Sequence, residues 1–252
     1  MAFEQTLPPV EQATEAPAPG GRTPWGYADM AMAIGAVIGG TILVALPAAA
    51  IAALIAGGSN VTGDHAAMAV LLGANLLLEL FLLAAVAVFA VRKYRVSWAS
   101  VGLRLPERGS WWLPLALLGG ALVAVWTYFS LLAALGVEPA GNIPEGAFDT
   151  VPLTVLVGIL SLALAPVMEE TFFRGFLFGG LRGRWGVFFA ALSSGFLFSA
   201  AHADPLLFIP FTVVGMVFAW GYVYSGSILA GMIAHLLFNS ISFGLAVSGV
   251  GG

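Results

Sequence analysis

The chain has 252 residues, 60% of them hydrophobic and only 9% charged, against about 25% charged in an ordinary soluble domain. A soluble core of this length cannot hide so much apolar surface, whereas a bilayer accepts it, provided that every backbone polar group is paired within helices or a closed barrel. A net charge of -4 without a basic stripe speaks against nucleic acid as a partner, and the absence of cysteine removes disulfides and thiol catalysis.

Residues 1–24 are rich in Pro, Ala and Glu and lack the basic start and apolar core of a signal peptide, so a disordered N-terminal tail is expected. Residues 25–252 read as a single transmembrane domain. It holds seven apolar stretches, at about 28–57, 66–91, 111–136, 151–181, 186–203, 206–224 and 227–248. Each is near or above the roughly 20 residues that carry a helix across about 30 Å of hydrocarbon. The expected fold is all-α, a polytopic transmembrane bundle of about seven spans. The connections at 203–206 and 224–227 are short enough to belong to one broken helix in place of two.

Before the second stretch, Asp64 and His65 are expected in solvent. Within it, Asn75 and Glu79 stand four apart on one helix face; the preferred reading is a polar link to a neighbouring helix, the other a cavity lining. Trp98, Trp111 and Trp112 read as an interfacial aromatic belt. In the fourth stretch Pro166 should kink or loosen the helix, while Gly175, Gly179 and Gly183 permit close packing.

The basic residues give an orientation. Arg92, Lys93, Arg95, Arg104 and Arg108 lie in one loop, Arg182 and Arg184 in one turn and Arg22 in the tail, with Arg174 alone inside a span. The loops at 58–65 and 137–150 hold none, but carry Asp64, Glu138, Glu145 and Asp149. Seven crossings put all the basic connections on one side, which the positive-inside bias makes cytoplasmic. The N-terminus is thus expected inside, in a membrane read as a prokaryotic plasma membrane.

Charged or strongly polar side chains at bilayer depth are costly, so they face a bundle interior or an aqueous cavity and are the first place to look for function. The last hundred residues hold Glu169, Glu170, Arg174, His202, His235 and Asn239 within apolar spans. Counting from the inner ends at 1.5 Å per residue puts Glu169 and Asn239 at ~20 Å, His202 at ~24 Å and His235 at ~14 Å. They converge between the middle and the upper part of the slab. Glu170 and Arg174, four apart, can pair, which turns Glu169 elsewhere; His235 and Asn239, also four apart, share a face.

A buried carboxylate beside a histidine suits general-base activation of water, and an Asn amide with an imidazole N–H suits a developing oxyanion. Glu169 with His202 fits the first task and His235 with Asn239 the second. A zinc first shell of Glu169, His202 and His235 is the alternative, and residue types alone do not separate the two. Ser193 and Ser194 precede Gly195 outside any G-x-S-G pattern, and no H-E-x-x-H or G-x-G-D occurs.

Three motifs carry a resemblance: E-E-x-x-x-R at Glu169 to Arg174, F-x-x-x-H at Phe198 to His202, and H-x-x-x-N at His235 to Asn239. In this order, each inside its own apolar span, they resemble the CPBP intramembrane proteases. That family includes the CAAX prenyl protease of the Ras-converting enzyme type and bacteriocin-processing and self-immunity proteins. The resemblance covers about residues 150–245, with weaker support from Val101-Gly102-Leu103-Arg104.

It implies an intramembrane endopeptidase in which Glu169 and His202 activate water and His235 with Asn239 forms the oxyanion site. A glutamate-dependent mechanism without a metal cofactor is favoured, with zinc as the alternative. The implied partners are the lipid bilayer and a protein or peptide substrate at the membrane, CAAX-like or other. A second function class, a non-enzymatic scaffold, immunity factor or transporter-like binder, would use the same polar cluster to hold a ligand or a proton.

Overall fold

The computed structural model describes residues 21–58, 60–108, 111–137 and 146–249. Residues 1–20 of the expected tail, and Glu138 and Glu145, lie outside these described residues. Residues 21–24, which composition assigns to the tail, are part of the folded body. Arg22 Nε donates to Gly183 O at 3.3 Å, Thr23 is buried, and Trp25 is fully buried.

All regular structure among the described residues is helical. Six runs are long and apolar enough to cross a membrane: α1 (Tyr27–Ile55), α2 (His65–Arg92), α3 (Trp112–Ala134), α4 (Val151–Ala201), α5 (Phe208–Ser225) and α6 (Leu229–Val247). The chain is thus an integral membrane protein. Six runs stand where seven stretches were expected because α4, with 51 residues, contains both the fourth and the fifth. It does not run straight. At 1.5 Å per residue, positions 173 and 194 of a straight helix would lie about 30 Å apart, yet Ser194 Oγ donates to Phe173 O at 2.7 Å. The reversal falls at Gly186, whose φ of 76° lies in the left-handed region that glycine enters without steric cost.

Two more hairpins follow. Phe198 and Phe211 bring their rings to 6.1 Å across the turn at Asp204, and Phe218 and His235 bring theirs to 5.8 Å across Gly226. The connections at 203–206 and 224–227 therefore join separate helices. Asp204 closes the first as a local cap, accepting from Leu206 N at 2.8 Å. The second is clamped by the 98–104 segment. Arg104 Nε donates to Gly226 O at 2.8 Å, Ile228 N donates to Gly102 O at 3.0 Å, and the Ser227 hydroxyl donates to Arg104 O.

Inside α4, Pro166 behaves as its chemistry requires. Proline lacks the N–H of the helical ladder and crowds the preceding turn, and the helix widens into π turns at Ile159–Leu164 and Glu170–Phe178 on either side of Ala165–Glu169. Carbonyls of the second π turn receive outside donors: Phe173 O from Ser194 Oγ, and Phe176 O from Trp25 Nε1 at 3.0 Å. The Gly175, Gly179 and Gly183 stripe packs against Val101, Trp25 and Arg22 in place of another span. The close helix crossing is made by Gly195 and Gly215, where a Cβ on Gly215 would lie 2.6 Å from Gly195 Cα; in lipid such small-residue contacts replace the hydrophobic drive.

At the opposite end from the α1–α2 loop, Asp29 near the start of α1 accepts from Gly26 N at 2.8 Å, from Tyr94 Oη at 2.7 Å and from Lys93 Nζ. It ties α1 to the exit of α2. At the start of α2 and in the loop before α4, His65 and Asp149, both more than half exposed, pair at 3.3 Å.

Candidate active site

The first half of α4, the end of its second half, and α6 bring the polar residues of the last hundred positions around one cavity. Its volume is about 780 Å³, and its lining includes Glu169, His202, His235 and Asn239 together with Asn75 and Glu79 of α2. This lies within the several hundred Å³ usual for ligand sites. Most of the remaining lining is apolar, from Val37, Ile38 and Ile42 of α1 to Phe198, Phe211 and Phe238.

Glu170 and Arg174 are adjacent to the cavity without lining it. Both are fully buried, with Arg174 Nη1 3.0 Å from Glu170 Oε1. The pair is in contact but off axis, since no guanidinium nitrogen makes an aligned hydrogen bond. Two aromatic faces supply the rest: the guanidinium carbon lies 4.3 Å from the Phe198 centroid and 5.4 Å from that of Phe218. Such contacts strengthen when desolvated. Gly231 on α6 leaves room for the carboxyl group, where a Cβ would meet Glu170 Oε2 at 3.1 Å.

Glu170 also holds His235. Its Oε1 lies 3.2 Å from His235 Nδ1. A carboxylate only accepts, so Nδ1 carries the hydrogen and Nε2 is the ring nitrogen left for the cavity. There it stands 3.8 Å from Glu169 Oε2, beyond a direct hydrogen bond but within ion-pair range. His202 is fixed in the same manner by a backbone acceptor: Phe198 O lies 2.9 Å from its Nδ1, which leaves Nε2 as the lone-pair nitrogen of the neutral ring. Asn239 Nδ2 spends one N–H on Ser161 O at 2.8 Å and retains a second. Phe198 is the common wall, its ring 4.9 Å from that of His202 and 5.9 Å from that of His235.

The contacts differ from the pairing drawn from sequence in one respect. The imidazole in contact with Glu169 is that of His235, while His202 approaches from the end of α4 across the cavity. Two helices explain it: α6 packs its His235 face onto the Glu169–Glu170 turn, whereas His202 closes the C-terminal end of α4. Serine chemistry has no support here, because Ser194 is fully buried with its hydroxyl on Phe173 O. Among the described residues, no group of three or more His, Asp or Glu side chains is gathered closely enough to hold a metal ion.

Asn75 and Glu79, read from sequence as a helix link or a cavity lining, are part of the cavity wall. Their four-residue spacing inside an apolar span was the available signal; which helix face meets the cavity was not.

Comparison with known proteins supports the same segment. Residues 151–241 match the family model described as type II CAAX prenyl endopeptidase Rce1-like, which bears out the resemblance carried by the three motifs. A relative named membrane peptidase YdiL, from Bacillus subtilis (strain 168), is 32% identical over 96 residues, covering 38% of this chain and 39% of its own length. The membrane-embedded CAAX protease MroQ of Staphylococcus aureus (strain USA300) is 27% identical over 173 residues, 64% of this chain and 69% of MroQ. An uncharacterized 24.3 kDa protein of Escherichia coli is 29% identical over 124 residues, 46% of this chain and 57% of that protein. The chain thus spans between about two fifths and two thirds of the curated relatives it matches. No solved structure matches significantly.

Proposed function

We propose, from the premise that residues 151–241 are an Rce1-like segment of an integral membrane protein, that the chain is an intramembrane endopeptidase. Its substrate would be a membrane-associated, CAAX-like protein or peptide. The carrying observation is the division of labour between adjacent glutamates: Glu170 is committed to Arg174 and His235, while Glu169 lines the cavity shared with His202, His235 and Asn239.

In this reading Glu169 takes a proton from a water molecule as the water oxygen attacks the scissile carbonyl carbon. His202 Nε2 accepts the water's other hydrogen and aims it. The carbonyl oxygen gains negative charge and is met by the second N–H of Asn239 and by His235 Nε2 when that nitrogen carries a proton. Glu169 then delivers its proton to the departing amine nitrogen, the C–N bond breaks, and the peptide leaves as a carboxylate and an amine. No step passes through a metal.

The gathering of Arg22, Lys93 and Arg184 at the end of the bundle where α1 begins and α4 reverses supports a cytoplasmic N-terminus. The apolar α1 wall of the cavity supports a substrate that approaches with a hydrophobic portion.

The test is cleavage of CAAX-type peptides, prenylated and unprenylated, by the purified protein in detergent. Wild type should cleave, with Glu169→Ala and His202→Ala reduced by about 100-fold or more. Equal turnover by all three would end the peptidase reading and leave a binding protein in its place.

A further inference from the structure

Glu79 lies on α2, outside the 151–241 segment, yet it meets the site. It is 9% exposed in the middle of an apolar helix, and it lines the same cavity as Glu169, each with one buried carboxyl oxygen turned away from solvent. No donor serves these oxygens: Glu79 Oε2 and Glu169 Oε2 are both buried, and no N–H or hydroxyl reaches either. An ionised carboxylate has no hydrogen to give, so a hydrogen bond between two carboxyl groups exists only if one of them carries a proton. Two bare anions on one dry wall would repel. The guanidinium of Arg174 is engaged by Glu170.

We propose that Glu79 is a positioning residue for Glu169: in its protonated form it donates to one Glu169 oxygen, and so orients the other toward the water held near His202 and His235. The inference rests on the peptidase reading above and adds a third acidic residue to it. It explains why a carboxyl group is retained in the apolar wall that α2 contributes, where an insertion cost of a few kcal/mol would otherwise select against it.

Two nearly isosteric, uncharged replacements separate hydrogen-bond donation from bulk. Glu79→Gln keeps an N–H donor at the same reach, and Glu79→Met keeps the length without one. With a peptide cleaved by the wild type, Glu79→Met should lower kcat by about 10- to 100-fold with KM changed little, and Glu79→Gln should recover most of the loss, as for other residues that orient a reacting group. Wild-type kcat in Glu79→Met, or a defect in Glu79→Gln equal to that of Glu79→Met, would overturn the inference. A raised KM at unchanged kcat would also overturn it, placing Glu79 in substrate binding. Glu169→Gln, run in parallel, keeps the two claims apart. If Glu169→Gln cleaves like wild type, the peptidase reading falls. If it is inactive while Glu79→Met is normal, only the role of Glu79 falls.

Discussion

Glu170 Oε1 lies 3.2 Å from His235 Nδ1, and the same oxygen faces Arg174 Nη1 at 3.0 Å. One buried carboxylate therefore fixes an imidazole of the cavity from behind and is itself balanced by a guanidinium between two phenylalanine rings. The next residue back, Glu169, is left to the cavity.

That arrangement predicts the effect of removing the cation. Arg174→Met should strand Glu170 at a fully buried position and cost about 3–5 kcal/mol, as for other broken buried pairs. Thermal unfolding in detergent would show a fall of several degrees, and adding Glu170→Gln should return part of it. A melting point unchanged by Arg174→Met would contradict the pairing.

The crossing of α4 and α5 gives a steric prediction. A Cβ at Gly195 would approach Thr212 O to 2.5 Å, a backbone atom that cannot rotate away. Gly195→Ala should destabilise by about 1–3 kcal/mol. At Gly73 in α2 nothing lies within 4 Å of the added carbon, so Gly73→Ala should be neutral or gain about 0.5–1 kcal/mol. Equal melting points for the two variants would refute the close crossing.

Metal removal is a separate test. Glu169, His202 and His235 are not gathered as a metal-holding group, and the proposed reaction needs only their proton chemistry. Turnover should survive dialysis against a strong chelator. Loss of activity that added zinc restores would reverse the glutamate-dependent assignment in favour of a zinc centre.

Alkaline pH should loosen the start of α1. The hydrogen bond to the Asp29 carboxylate holds the Lys93 ammonium above its ordinary value of 10.5 and the Tyr94 phenol above its ordinary 10.0. Both groups therefore lose their protons later in the folded protein than in the unfolded chain. Their contribution is complete below the ordinary values and is lost as pH rises through the higher folded-state values. Above about pH 10, the melting temperature should fall more steeply in wild type than in Asp29→Asn. Parallel curves would show that the Asp29 contacts contribute nothing.

Much of the arrangement was legible in the sequence. Length and hydropathy suffice for the helices, because a chain in lipid has few other ways to pair its backbone. The break between the fourth and fifth stretches was readable because Gly186 follows a short basic turn. Depth counting put Glu169, His202, His235 and Asn239 at similar levels because each helix rises by a fixed amount per residue. What counting could not give was contact between helices. That His235, and not His202, touches Glu169 depends on how α6 rotates against the widened turn after Pro166. The two readings of Glu79 could not be separated from sequence because α2 carries its polar pair on a face whose neighbour lies nearly a hundred residues away in the chain. Asp29 went unnoticed because an acidic residue at a span's edge is ordinary.

Val37, Ile38 and Ile42 of α1, with Leu72 and Glu79 of α2, supply one wall of the cavity, and α4 and α6 supply the reacting groups. The stretch that matches the family model is consequently half a vessel. Cut down to 151–241, it would leave Glu169 wetted by acyl chains where its partner side chains now stand, and recombinant fragments of that length would retain the motifs while losing the compartment in which water can be kept.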